Sequence, residues 1–321
     1  MKNFKRAKTH AAPDWPKDLL VISDLSTQRV RDVLGLARQV KSSPGLYHGA
    51  LTGCHAVLLF EKPSLRTRLT FEIGVQSLGG TVSFVDCQTQ RLGERESVKD
   101  MAKNLERWSS VVIARTFLHG TLQELARHAS VPVINALSDL EHPCQVLADL
   151  LTLQENWAEL RGRRLVYVGD PNNVSNSLMQ ICAMLGVHFT LISPPGYEAD
   201  PGCHERALRF AHESGSGIEL SHDLGRVFGA DAIYTDVWTS MGQEGQADKK
   251  RSDFASYRVT SQLMGRAGKK ALFLHCLPAH RGEEIDNTVI DGPKSVVYDQ
   301  AENRLHVHKA LLLKALQKSE V

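Results

Sequence analysis

The sequence predicts an α/β protein of two domains, each a central parallel sheet flanked by helices. Short β-rich apolar runs alternate with stretches of helical period along most of the chain, the pattern that parallel sheets require. The length of 321 residues exceeds what a single hydrophobic core usually sustains. The alternation also falls into two series with one long helical stretch between them.

The first helix is expected after Ser26 as its cap, with Val30, Val33, Leu34, Ala37 and Val40 on one face and Pro44-Gly45 as its stop. Residues 55–60, 81–85, 111–114 and 131–134 read as the strands of the first series. A long helix over 144–157 follows and ends at the charged turn 161–164, which places a boundary near residue 150. Residues 165–168, 189–192, 218–220, 232–234, 271–274 and 296–298 read as the strands of the second series. A final helix over 302–317 carries Leu305, Leu312, Leu313 and Leu316 on one face, and the sequence does not select the domain it packs on, the first being one option. The expected division is therefore 1–150, 151–303 and a C-terminal helix within 304–321.

With 38 basic against 36 acidic residues the net charge is +2, so no overall field draws the chain to nucleic acid or to an acidic membrane. Any anion site must be local. No run approaches the roughly 20 apolar residues of a membrane span, and the start lacks an apolar segment, so a soluble, cytoplasmic protein is expected. Six scattered cysteines form no C-x-x-C pair, which argues against disulfides, a structural metal or a redox couple.

Two β-to-α steps carry chemistry. After the strand 55–60 comes Glu61-Lys62-Pro63-Ser64-Leu65-Arg66-Thr67-Arg68, then a helical pattern through Phe71, Val75 and Leu78 to Gly79-Gly80. Helix-start N–H groups, two hydroxyls and two arginines suit a phosphate or carboxylate. Cations at a helix start oppose the macrodipole, so an anion is expected there to offset them. In the second series, 165–168 runs into Gly169-Asp170-Pro171-Asn172-Asn173, which is not the glycine fingerprint of a dinucleotide site. Asparagines both accept and donate, which suits the ammonium and carboxylate of an amino acid.

The first of these motifs resembles the Ser-x-Arg-Thr-Arg signature of the aspartate/ornithine carbamoyltransferase family, and the resemblance covers nearly the whole chain. It implies that Ser64, Leu65, Arg66, Thr67 and Arg68 bind the phosphate of carbamoyl phosphate. Arg115, at a strand end, and His142-Pro143-Cys144-Gln145 stand where that family places further ligands, so Arg115, His142 and Thr67 would polarise the carbonyl oxygen. Gln145 and the Cys276-Leu277 backbone would hold the carbamoyl NH2, with Arg304 as a last contact. Asp236-Val237-Trp238-Thr239-Ser240-Met241-Gly242 and His275-Cys276-Leu277-Pro278 resemble the ornithine branch of the family. They imply that Asn173, Asp236, Ser240 and Met241 hold L-ornithine, that the Ser240 loop closes over the site, and that Arg115, His142, Asp236 and Cys276 are catalytic. No cofactor and no metal are implied.

Two departures stand out. Leu65 replaces a residue that usually carries a hydroxyl, and Arg91 stands where Gln is common, in a loop that reaches a neighbouring subunit's site in the family. The resemblance implies a homotrimer or a multiple of trimers, and a place in arginine metabolism, most simply its biosynthesis. Competing expectations are a carbamoyltransferase for another acceptor such as acylated ornithine or putrescine, a non-catalytic relative that binds carbamoyl phosphate or ornithine, and, for want of the glycine fingerprint a distant third, a nicotinamide dehydrogenase.

Overall fold

The computed structural model describes residues 15–240, 242 and 244–317. The chain opens with α1 (Thr27–Ser42), capped by Ser26, whose side chain accepts from the Arg29 N–H, and it stops before Pro44. The first sheet follows as β1 (His55–Phe60), α2 (Leu65–Ser77), β2 (Thr81–Asp86), α3 (Val98–Trp108), β3 (Val111–Arg115), α4 (His119–His128) and β4 (Val133–Leu137). Its strand order is β2-β1-β3-β4 and every pairing is parallel. After α5 (Pro143–Asn156), the second sheet is built from β5 (Arg164–Val168), α6 (Asn173–Leu185), β6 (His188–Ile192), α7 (Pro201–Ser214), β7 (Ile218–Ser221), β8 (Ala232–Thr235), α8 (Ala247–Phe254), α9 (Ser261–Arg266) and β9 (Leu272–His275). Its order is β7-β6-β5-β8-β9, again all parallel. The short α10 (Asn287–Ile290) and the long α11 (Val297–Ala315) close the chain.

Where the structure departs from expectation, the cause is local. The fourth strand begins at Val133, not at Val131, because Pro132 has no N–H to give the ladder and only its carbonyl is used, by the Val112 N–H. The expected strand at 296–298 is a helix start. Its neighbour Ser295 makes one isolated bridge to Phe273, and the chain then turns into α11, with Val296 and Val297 buried beneath the first turn. Tertiary packing overrides the β-branched preference of that run. The last helix thus starts five residues earlier than expected, and it packs on α5, α1 and α2, back against the first sheet's layer.

The helix α5 is buried at every position from Pro143 to Leu153, since it lies between layers from both halves. Residue 150 falls inside it. One hydrophobic core runs continuously from β1 through α5, α6 and α11 to β5, with smaller cores on the outer face of each sheet. Among the described residues no helix is long and apolar enough to cross a membrane.

Candidate active site

All parallel strands of both sheets deliver their C-terminal ends to the region between the halves, where open α/β sheets bind ligands. A cavity of about 700 Å³ opens there. Of the residues expected from sequence, Ser64, Leu65, Arg66, Arg115, His142, Gln145, Asn173, Asp236, Ser240, Cys276, Leu277 and Arg304 line it.

At one end three arginines converge from β3, the start of α2 and α11. None of Arg66, Arg115 and Arg304 forms a salt bridge with a carboxylate among the described residues, and the Nε atoms of Arg115 and Arg304 are buried with no hydrogen-bond partner. Burial and then the neighbouring Arg304 push the Arg115 guanidinium down to about 9. Burial also lowers Arg304 and Arg66. Such concentrated positive charge suits a bound anion. Ser64 caps α2, its hydroxyl accepting from the Thr67 N–H at 3.3 Å.

His142 is the N-cap residue of α5, with Pro143 pre-set for the first turn. Its ring is buried, its Nδ1 has no partner, and burial together with Arg304 and Arg115 holds its pKa well below the ordinary range. At neutral pH it is an uncharged imidazole, a hydrogen-bonding group and not an acid. Gln145, one turn further, donates its Nε2 to Asp149 while its Oε1 is buried and unpartnered.

At the other end the Cys276 thiol donates to Asp236 Oδ1 at 3.0 Å, and Asn172 Nδ2 donates to Asp236 Oδ2 at 2.8 Å. Burial and the adjacent Asp236 push Cys276 far up, so it is a thiol and not a thiolate. Leu277 sits in the left-handed region at φ 58°, with its N–H donated to His275 Nδ1 at 2.9 Å; His275 Nε2 therefore carries the proton and gives it to Glu284. Asp236, His275 and Cys276 are close enough to share a metal ion, as are His280, Glu283 and Glu284 at the mouth. In the first group, however, both ring nitrogens of His275 and the thiol are already committed to protein partners.

Several expected residues lie elsewhere or are already engaged. Thr67 is buried outside the cavity lining, its hydroxyl accepting from Arg304 Nη2 at 2.6 Å. Arg68, expected on phosphate, does not reach the cavity: two positions past Arg66 on a helix it faces the other way, donates to Glu72 and lies over the Phe84 ring. Arg91 is exposed, with its guanidinium 4.5 Å from the Phe117 ring centre. Asn173 lines the cavity, yet its Nδ2 is given to the Ser138 carbonyl at 2.6 Å. Met241 lies outside the described residues.

Sequence reasoning missed Lys62, a nearly buried cation in the lining that also faces the Phe117 ring; its signal was its place beside the serine–arginine motif at a strand end. It also missed Arg251 and Glu283, paired at the cavity mouth, and the buried pair of Lys250 on α8 with Asp170 at 2.7 Å.

Comparison with known proteins agrees with this layout. Residues 17–155 match the carbamoyl phosphate-binding domain of aspartate/ornithine carbamoyltransferases, and residues 161–315 match their aspartate/ornithine-binding domain. The ornithine carbamoyltransferase of Shewanella oneidensis is 46% identical over 297 residues, covering 92% of this chain and 98% of that one. The solved ornithine carbamoyltransferase of Pyrococcus furiosus superposes with a TM-score of 0.90 at 42% identity, over 94% of this chain and 98% of its own. An acetylornithine transcarbamylase bound to acetylcitrulline has the same fold, with a TM-score of 0.85, at 30% identity over 92% and 98% of the two chains. With both halves matched and the relatives aligned nearly end to end, the chain belongs to the aspartate/ornithine carbamoyltransferase family.

Proposed function

We propose that this protein transfers the carbamoyl group of carbamoyl phosphate to the δ-amine of L-ornithine, giving L-citrulline and phosphate. The observation that carries the reading is the cavity's polarity. Three arginines without carboxylate salt bridges among the described residues, Arg115 and Arg304 buried and Arg66 partly so, face one end, and an Asp236–Cys276 pair faces the other. Arg66, Arg115 and Arg304 hold the phosphate, with Ser64 and the backbone around Leu65 at the helix start. As the lone pair of the neutral δ-amine forms the new C–N bond, Arg115 and the neutral His142 stabilise charge on the carbonyl oxygen; the C–O bond then breaks with its electron pair leaving on phosphate, which takes up the proton that the newly bonded nitrogen releases. Gln145 and the Cys276-Leu277 backbone hold the carbamoyl NH2. Asp236 and Cys276 orient the amine, while Asn173, Ser240 and Met241 take the amino-acid end. The scheme needs no cofactor or metal.

The division of labour follows the halves, carbamoyl phosphate on the first and ornithine on the second. A homotrimer, or a multiple of it, is supported by an unpartnered apolar stripe on α2, where Leu65, Leu69 and Ile73 are exposed at four-residue spacing beside the edge strand β2. Arg91 would then reach a neighbouring subunit's cavity. The reaction belongs to arginine metabolism, and we place it in the cytoplasm and in the biosynthetic direction.

The test is product formation from carbamoyl phosphate with ornithine, acetylornithine, putrescine and aspartate in parallel. Citrulline from ornithine alone is the expected result. Turnover of another acceptor in its place would move the protein to a different branch, and carbamoyl phosphate binding without any turnover would make it a non-catalytic relative.

A further inference from the structure

One buried carboxylate is left unexplained by the scheme above. Asp149 lies in the middle of α5, fully enclosed, and its Oδ1 accepts two amide donors, Gln145 Nε2 at 2.8 Å and Gln300 Nε2 at 2.8 Å. A buried charge without a salt-bridge partner is expensive, and burial raises its pKa to about 6 against the opposing hydrogen bonds of Gln300 and Gln145 and the charge of Arg304. A hydrophobic residue would pack there at lower cost, so the carboxylate's use must lie in what it orients.

An ionised carboxylate only accepts hydrogen bonds, so both glutamines must turn their NH2 groups toward it. For Gln145 this leaves Oε1, which is buried, unpartnered and at the cavity wall. For Gln300 it leaves Oε1 to accept the His275 N–H at 3.0 Å, one residue before Cys276-Leu277. The two groups assigned to the carbamoyl NH2, on α5 and after β9, are thus tied to one atom.

We infer that Asp149 is a positioning residue that fixes the polarity of Gln145, presenting a carbonyl oxygen and not an NH2 to the donor substrate, and so selects a carbamoyl over an acetyl group. Carbamoyl phosphate offers an NH2 where acetyl phosphate offers a methyl. An acceptor locked in place rewards the first and is left unsatisfied by the second. Without Asp149, the Gln145 amide is free to turn over, and its NH2 then opposes the substrate's own. This inference rests on the reading of the cavity as a carbamoyl phosphate site.

The test compares the dissociation constants of carbamoyl phosphate and acetyl phosphate for the full-length protein, without ornithine. In Asp149→Ala, the preference for carbamoyl phosphate is expected to fall about tenfold, the equivalent of one neutral hydrogen bond. Gln145→Ala should lose as much, and the double variant no more than either. Asp149→Asn keeps an oxygen able to accept from both glutamines and should retain the preference. A general packing defect would weaken both phosphates alike and leave their ratio unmoved; that result, or an unchanged ratio with intact binding, overturns the inference. If Asp149→Ala does not fold, Asp149→Ser, too short to reach either glutamine but able to hold water, is judged by the same ratio. Should the unaltered protein bind neither phosphate, the cavity assignment itself fails, which is a separate outcome.

Discussion

Replacing Arg115 by Met should make the unliganded protein more stable and nearly inactive. The guanidinium is buried and held at about 9, far below the ordinary arginine range, a displacement equivalent to roughly 5 kcal/mol of unfavourable charge burial. Water entering the cavity and lost packing reduce this, so a net gain of about 1–2 kcal/mol is a reasonable expectation, or about 2–5 °C in melting temperature for a chain of this size. The sign follows from linkage. A basic group whose folded pKa lies below its unfolded one destabilises the fold while it is charged, below pH ~9, and the penalty is relieved as pH rises from there toward the ordinary arginine range. The advantage of Arg115→Met should therefore be full at pH 7.5 and shrink in alkaline buffer. Saturating carbamoyl phosphate stabilises the unaltered protein, by about 2.7 kcal/mol at a hundredfold excess over Kd, and should stabilise the variant much less. Turnover should fall on the order of 10²–10³-fold. Differential scanning calorimetry with and without carbamoyl phosphate, together with citrulline assays, reads all three. A variant that melts lower than the parent yet gains as much from carbamoyl phosphate would show that Arg115 is a structural cation and would refute the reasoning.

Asp236→Asn removes the carboxylate that accepts from Cys276 and Asn172, so ornithine use should collapse while carbamoyl phosphate affinity, measured by calorimetry, stays within about twofold. Lys250→Met strands Asp170 as an uncompensated buried charge; a loss of about 3–5 kcal/mol in urea unfolding is expected, with a raised KM for ornithine because α8 loses its tie to the sheet edge. In Glu141→Ala the Ile22 N–H, the Ser177 hydroxyl and the Gln180 amide lose a shared acceptor, which should lower stability by about 3 kcal/mol in the same assay. Gly169→Ala forces a side chain into φ 143° with its Cβ 3.2 Å from Thr235 Oγ1, so reduced stability and a displaced Asp170 loop are expected by thermal melt and ornithine KM.

Local rules recovered the layer pattern because each strand and cap is a local event. The fully buried run of β1 and the Ser26 cap of α1 announce themselves within a few residues. The helix start at Ser64 was legible for the same reason, since the cap and the Thr67 N–H it accepts from lie three residues apart. Long-range partnership was not legible. Gln300 meets Asp149 across 151 positions, and Lys250 meets Asp170 across 80. Nor could composition show that Arg68 turns to Glu72, because rotation about a helix must be combined with knowledge of which face the cavity occupies. Residues 296–298 misled through a β-branched run whose burial serves a helix.

Near the reacting groups, one helix end ties the two halves together. The loop before α5 is gripped by α6: Asn173 donates to the Ser138 carbonyl, Asn176 to the Leu140 carbonyl, and the His142 N–H is received by Ser177 Oγ, which in turn donates to Glu141. The cap of that same helix, Asn172, donates to Asp236. In the proposed scheme, His142 on the carbamoyl side and Asp236 on the amine side are therefore positioned by Ser177 and Asn172, both at the opening of one helix. Bringing an amine to within reaction distance of a carbonyl carbon tolerates little error, and displacement of about 1 Å is enough to slow such a step a hundredfold. A shared helix terminus limits that error to the flexibility of one turn, where two separately anchored loops would add theirs together. The polar opening of α6 thus serves the relative placement of the two reacting groups as much as any single contact to either substrate.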